Sequence, residues 1–287
     1  MTICRLRQSL RERLQTSGVP DAEISVDAIL EHVLQTRPGS LPRFLNDELP
    51  DTHKKSLESL IRRREKREPL QYILAQWGFF EFDLHVGPGA LIPRPETEDW
   101  LTVMFSILRN QPWQDTWRFA DIGTGTGAIG LTLARRFPKA RGLLIDLSPE
   151  ALAVAVQNLR LYPEEALHLQ LCQGNLASFC SRGSLNLVIS NPPYIDHGEM
   201  PDLMPEVRDY EPHLALDGGL EGLEIIAQLI VEALRVLRPG GLLAIEHGHG
   251  QRQKICDLPA PGLEVMQTIT DAGNRERAIV WKKAAQV

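Results

Sequence analysis

Cysteine is scarce and poorly placed for chemistry. The 287 residues hold four, Cys4, Cys172, Cys180 and Cys256. No CxxC spacing occurs, which argues against a disulfide scaffold and a zinc site and fits a reducing compartment. Long apolar runs are also missing. No stretch approaches the roughly 18 residues that a membrane helix needs, so no membrane partner is expected. The N-terminus, MTICRLRQSLRERL, has arginines but no apolar h-region of a secretory signal. It imitates a mitochondrial presequence, but Glu12 and the continuing helical pattern favour a mature domain. A cytoplasmic location is expected. A basic excess is absent as well: 31 Lys and Arg face 37 Asp and Glu, a formal net charge of −6. That argues against a general nucleic-acid binder, so no stable nucleic-acid binding is expected. The one local exception is RRREKR (62–67). It reads either as a solvated helix face or as a patch that steers an acidic partner or ribosomal RNA. Internal repeats and low-complexity tracts are absent too.

What is present is ordinary globular composition, 43% hydrophobic and 24% charged. The chain suffices for one large domain or two unequal ones. Residues 1–69 read as helices only. Ile3, Leu6, Leu10 and Leu14 recur at helical spacing, and Gly18 and Pro20 stop that helix. Asp21 is the expected cap of a second helix, ended by Pro38 and Gly39. A third starts near Pro50–Asp51 and runs into the basic cluster. Residues 70–94 change character: WGFFEFDLHV is aromatic and roughly alternating, and GPGALIPRP follows. This predicts a short hairpin connector. A helix follows from Glu96 to about Arg109, opening a domain over 95–287.

From residue 117 short apolar runs alternate with amphipathic helices. The strands are RFADIG, GLLID, LHLQLCQGN, LNLVISN and GGLLAIEHG, with LEVMQTIT and RERAIVWKK closing the chain. The pattern predicts an α/β, parallel, doubly wound sheet.

DIGTGTGAIG (121–130) falls at a strand-to-helix turn, where ligands of such sheets bind. Gly123, Gly125 and Gly127 permit a tight turn and close approach of a ligand to the backbone. Asp146 ends the next strand, and its carboxylate suits a ribose diol. Residues 125–130 also satisfy GxGxxG. These features imply an adenosine-type cofactor, with a nicotinamide dinucleotide and S-adenosylmethionine both open.

NPPY (191–194) ends the later strand LNLVIS and faces the same crevice. An amide or exocyclic amino nitrogen is a poor nucleophile, because its lone pair is delocalised. Methylating it requires acceptors that hold the NH2 group and aim the nitrogen. Asn191 supplies a side-chain carbonyl. Pro192 and Pro193 lack N–H groups and have restricted φ, so the Pro192 carbonyl suits a second acceptor. Tyr194 offers a flat face for a planar amide or base. Hydride transfer has no use for such a clamp. The tetrapeptide alone leaves adenine and glutamine both open as substrates.

NPPY after a GTGTG loop resembles the amino-methylating S-adenosylmethionine enzymes. REPLQYILAQWGFFEFDLHVGPGALIPRPETE (67–98), NPPYI, EHG (246–248) and DAGNRERAIV (271–280) are similar to one group of them over essentially the whole chain. That group is the N5-glutamine methyltransferases of peptide chain release factors, the HemK/PrmC family. The resemblance implies a Rossmann-like class I methyltransferase sheet carrying a small N-terminal helical bundle that recognises release factors. It implies methyl transfer from S-adenosylmethionine to the glutamine of a Gly-Gly-Gln loop in class-1 release factors. By the resemblance, Gly123, Thr124, Gly125, Thr126 and Gly127 cradle the methionine part of the cofactor and Asp146 binds its ribose. Asn191, Pro192, Pro193 and Tyr194 hold the glutamine, with Asn191 also near the methyl donor. The family often has an acid and an aromatic beside the adenine; this chain has Asn175 and Leu176 there. A monomer is expected. The alternatives are an N6-adenine nucleic-acid methyltransferase, a non-catalytic cofactor-binding regulator and, more distantly, a nicotinamide dehydrogenase.

Three features stay outside that assignment. Arg94 and Glu96 read equally as a helix start and as groups near the cofactor's mouth. His247 and His249 lack a third metal ligand, so no metal is expected. Residues 200–216 read as a loop over the active site or as an ordinary connection.

Overall fold

The computed structural model describes residues 1–113 and 116–285. The chain divides into two compact units, Met1–Gln76 with Met204–Tyr210, and Trp77–Leu203 with Glu211–Val287.

The first unit contains α1 (Ile3–Thr16), α2 (Ala22–Val33), α3 (Asp51–Glu65) and α4 (Leu70–Leu74). Helical spacing puts Ile3, Leu10 and Leu14 of α1 on one face. They meet Val26, Ile29 and Leu30 of α2 and Leu57 and Ile61 of α3 in one core. Leu70 and Ile73, three apart on α4, complete it. The helical unit therefore runs past residue 69, the boundary that the sequence suggests, because LQYIL places Leu70 and Ile73 in that core. Ala75 then turns the chain in the left-handed conformation, at φ 55°. Asp21 stands at the start of α2 without capping it by its side chain.

Arg62 and Lys66 of the basic run 62–67 are exposed, as a solvated helix face would be, while the other arginines are partly or fully buried. Arg62 pairs with Glu58 at 2.8 Å and Arg63 with Glu68 at 2.5 Å. Arg64 is 2% exposed. Its Nε donates to Ser25 Oγ at 3.1 Å and its Nη1 to Glu206 Oε1 at 3.0 Å. Arg67 donates to both oxygens of Glu206, at 2.7 and 2.6 Å. Burial pushes the Glu206 carboxyl up, but the bonds from Arg67 and Arg64 outweigh it and leave the group below its usual value. Glu206 sits on a one-turn helix, α9 (Pro205–Arg208), more than a hundred residues along the chain. A partner so distant in sequence is invisible to local charge patterning.

The second unit opens with the hairpin β1 (Gln76–Phe79) and β2 (Phe82–His85) and with α5 (Pro95–Arg109). Its sheet comprises β3 (Arg118–Ile122), β4 (Arg141–Asp146), β5 (Leu169–Gln173), β6 (Leu185–Ser190), β7 (Leu237–Glu246), β8 (Leu263–Thr270) and β9 (Glu276–Lys283). The order is β5-β4-β3-β6-β7-β9-β8. Strands β3 to β7 pair in parallel, while β9 runs antiparallel to β7 and to β8. The helices between them are α6 (Ala128–Arg136), α7 (Pro149–Leu161), α8 (Pro163–Ala166), α10 (Glu224–Val236) and α11 (Arg252–Cys256). Alternate residues of each strand point to opposite faces. Phe119, Leu187, Ile189 and Leu242 join Trp100, Leu101 and Met104 of α5 on one face. Ala120, Val188, Leu243 and Ile245 join Ile226, Leu229 and Ile230 of α10 on the other. Burial on both faces explains why LNLVI is apolar almost without alternation.

The topology fixes where a ligand goes. From β3 the chain winds outward to β4 and β5, then returns to place β6 on the other flank of β3. The carboxyl ends of β3 and β6 thus flank the switch point.

Two substitutions test this packing. Glu206→Ala leaves the buried Arg64 with only the longer Asp21 contact, at 3.9 Å, as an ion pair and is expected to destabilise the helical unit by about 3 kcal/mol, read as lost amide-exchange protection in α3. A Cβ at Gly142 would overlap the Phe119 ring and stand 2.7 Å from Leu169 Cδ2. Gly142→Ala is expected to cost about 1–3 kcal/mol through overpacking, read as a lowered melting temperature.

Candidate active site

The glycine loop starts where β3 ends. Gly123, Gly125 and Gly127 have φ of 71°, 55° and 82°, conformations that glycine adopts without a Cβ penalty. They fold the chain back into the first turn of α6. Asp121 ties this loop together. It is fully buried, and its Oδ2 accepts from Thr124 Oγ1 at 2.6 Å and from the Gly130 N–H at 3.1 Å. Burial pushes its carboxyl up to about 7 against those two bonds. Asp146 closes β4 beside the loop. Its Oδ2 accepts from the Gly125 N–H and its Oδ1 from the Ser148 N–H, both at 2.9 Å. Burial raises its carboxyl, and the backbone bonds oppose that. Each oxygen keeps a further acceptor position.

The clamp starts where β6 ends. Asn191 Nδ2 donates to Thr97 Oγ1 at 3.4 Å. Thr97 Oγ1 donates in turn to Glu246 Oε2 at 2.7 Å, and Trp100 Nε1 donates to the same oxygen at 2.6 Å. Asn191 Oδ1 is buried and meets no donor. A buried acceptor without a donor is costly, so this carbonyl is left with an unmet hydrogen bond. The backbone beyond is gripped closely. The Tyr194 carbonyl accepts from Gln251 Nε2 at 2.8 Å. Ile195 bonds to Leu216 and Gly218 at 3.0 and 2.9 Å. A Cβ at Gly218 would come within 2.8 Å of the Pro193 carbonyl oxygen, and one at Gly222 would overlap the Tyr194 carbonyl. DGGLEG is therefore glycine-rich because it lies directly on the clamp.

A cleft partly open to solvent joins the two loops. Gly123, Thr124, Gly125, Thr126, Asp146, Asn191 and Pro193 line it. Gly127 turns its missing Cβ toward Leu144, Ala155 and Leu159 instead. Pro192 is buried, and Tyr194 packs with the cluster on the α10 face. Burial, with nearby Glu246, raises the Tyr194 hydroxyl well above its usual value. Asn175 is exposed, Leu176 packs with the same α10-side cluster, and neither lines the cleft.

Other residues complete the lining. Pro93 and Thr97 do so, while their neighbours Arg94 and Glu96 do not. Arg94 pairs with Glu211 at 2.5 Å, and Glu96 lies in the first turn of α5. Gly89 lines the cleft at φ 113°, where a Cβ would stand 2.9 Å from Glu150 Cβ. Pro212, Leu214 and Ala215, from the end of the loop 200–216, also line it. The residues that pure sequence reading misses are Thr97, Trp100 and Glu246. Their signal is an acid at the end of the otherwise apolar LLAIE. His247 beside it is buried, with Nδ1 donating to the Gly248 carbonyl at 2.8 Å. Among the described residues no three His, Cys, Asp or Glu stand together as metal ligands. No helix among them is long and apolar enough to cross a membrane.

Comparison with known proteins agrees with this geometry. Residues 5–74 match the PrmC N-terminal domain and residues 102–208 the methyltransferase small domain. A crystal structure of a methyltransferase from Pyrococcus furiosus superposes with a TM-score of 0.52 at 19% identity, covering 72% of this chain and 91% of that one. It supports the class of fold. The release factor glutamine methyltransferase of Caulobacter vibrioides is 35% identical over 99% of this chain and 97% of its own. That of Moorella thermoacetica is 37% identical over 96% and 97%. At such identity over nearly full length, the chain belongs to the release factor glutamine methyltransferase family.

Proposed function

We propose that this protein methylates the side-chain amide nitrogen, N5, of the glutamine in the Gly-Gly-Gln loop of class-1 peptide chain release factors. The methyl donor is S-adenosylmethionine. The observation that carries this reading is the buried, unpartnered Oδ1 of Asn191, a residue that lines the cleft where β3 and β6 end. A lone acceptor there suits a substrate that brings an N–H, as a primary amide does.

The residues fit the donor. Gly123 to Thr126 and Asp146 give a bare backbone turn beside a carboxylate with acceptor positions to spare. Gly127 supports the turn through its packing. When bound, S-adenosylmethionine supplies a methyl carbon made electrophilic by its sulfonium. The chain's own residues do the orienting. Asn191 Oδ1 accepts one N–H of the glutamine amide, and the Pro192 carbonyl accepts the other. Held so, the nitrogen presents one face to the methyl carbon, which replaces the random encounters of solution by a fixed approach. Pro193 bounds the cleft. Tyr194 fixes the clamp by its ring packing and by its carbonyl on Gln251. Asn175 and Leu176, which do not line the cleft, are given no part in holding the donor. The methylated nitrogen is cationic and loses its proton to water, so a strong base is not required. The helical unit is assigned to release-factor recognition, and the protein acts as a monomer.

The assay uses labelled S-adenosylmethionine and a release factor, wild type or with the loop glutamine replaced by alanine. Label is expected on the first and not on the second. Equal labelling of both, or labelling of DNA or RNA in place of protein, would overturn the reading. Asn191→Ala is expected to lower kcat by about 10²–10³ with cofactor affinity kept. Asp146→Ala is expected to weaken cofactor binding by about 1.5–3 kcal/mol, measured by calorimetry.

A further inference from the structure

We propose that Thr97 and Glu246 are positioning residues that lock the Asn191 amide in the one flip state that presents its oxygen to the substrate. This rests on the reading of Asn191 as the substrate clamp. The two flip states of an asparagine amide are nearly equal in shape, and only the hydrogen-bond partners separate them. Only one of them accepts an N–H from the cleft.

The lock follows from the proton count. Glu246, at the end of β7, is 1% exposed, and Thr97 is 3% exposed. Thr97 has a single hydroxyl proton, and it points to Glu246 Oε2 at 2.7 Å. What Thr97 Oγ1 then offers Asn191, at 3.4 Å, is a lone pair. A lone pair selects Nδ2, so Oδ1 is turned the other way, where it meets no donor. Trp100 Nε1, at 2.6 Å, holds the carboxylate oxygen that receives the Thr97 proton. Without Glu246 the Thr97 hydroxyl is free to rotate and donate to Asn191 Oδ1. The amide then turns over and its NH2 faces a substrate that also brings an NH2. Glu246 therefore acts at a distance, by removing a donor that would otherwise capture the clamp.

That gives a signature which loss of packing does not share. Glu246→Leu is expected to lower kcat by about ten- to a hundredfold, with calorimetric affinity for S-adenosylmethionine unchanged. Glu246→Gln, which keeps an acceptor oxygen, recovers most of the loss. Thr97→Val in the Glu246→Leu background removes the capturing donor and is expected to restore kcat in part. Wild-type turnover in folded Glu246→Leu, or a double variant slower than Glu246→Leu, overturns the lock. If Glu246→Leu gives no cooperative melting transition, Thr97→Val and Thr97→Ser decide. Loss in the first that the second recovers supports the lock; equal turnover overturns it. Asn191→Ala run alongside separates the two ideas. If it alone loses turnover, the clamp stands and the lock falls; if it too is normal, both fall.

Discussion

The Ser190 hydroxyl donates to the Ile122 carbonyl at 2.6 Å and ties the end of β6 to the end of β3. Both parts of the site hang from this junction. Ile122 is the last residue before the glycine loop, and Ser190 is the last before the clamp. Because the strands are parallel and adjacent, with Asp121 opposite Ile189, both loops leave the sheet at the same edge. A Cβ built on Gly123 would stand 4.0 Å from the Asn191 carbonyl oxygen. The cleft's walls are therefore set by sheet register, which a close-packed core holds firmly. The long connections around them have no such constraint.

From that junction the support spreads outward in layers. Thr97 and Trp100 come from the first two turns of α5, Glu246 from the end of β7, and Gly218, Gly222 and Gln251 from the segments flanking α10 and β7. Thr97, Gly218, Gly222 and Gln251 reach the clamp by a bond or a close approach, and Trp100 and Glu246 act through Thr97; none of Trp100, Glu246, Gly218, Gly222 and Gln251 lines the cleft. The clamp's stiffness thus comes from two sources. The prolines restrict φ from within, and the surrounding backbone restricts position from without.

What the sequence revealed and what it hid divide along the same line. The alternation of strands and helices, the glycine loop, Asp146 and NPPY were legible because each is a local pattern, a turn or a period of two or 3.6. The groups that act across the chain were not. Arg64 and Arg67 looked like part of an exposed basic run because Glu206, which neutralises them, lies on a distant segment. Thr97 and Glu246 are 149 positions apart and look like a helix start and a strand end. The boundary at residue 69 was misread for a related reason. A five-residue helix is too short to display a period, and only the core that Leu70 and Ile73 enter reveals it. Asn175 and Leu176 were chosen by position after β5, yet Leu176 at φ 52° turns away into the α10-side cluster.

Two buried acids share a design that makes the site insensitive to their charge. Asp121 and Glu246 are each pushed up to about 7 by burial, so near neutral pH each exists in both forms. Each also concentrates two donors on a single oxygen: Thr124 and Gly130 on Asp121 Oδ2, Thr97 and Trp100 on Glu246 Oε2. A proton arriving on such a carboxyl goes to the other oxygen, because the first already faces two N–H or O–H groups. Asp121 Oδ1 is buried without a partner, and protonation there relieves the cost of an isolated charge. The accepting oxygen keeps its bonds in either state. The loop and the clamp are therefore anchored by acceptor geometry rather than by net charge.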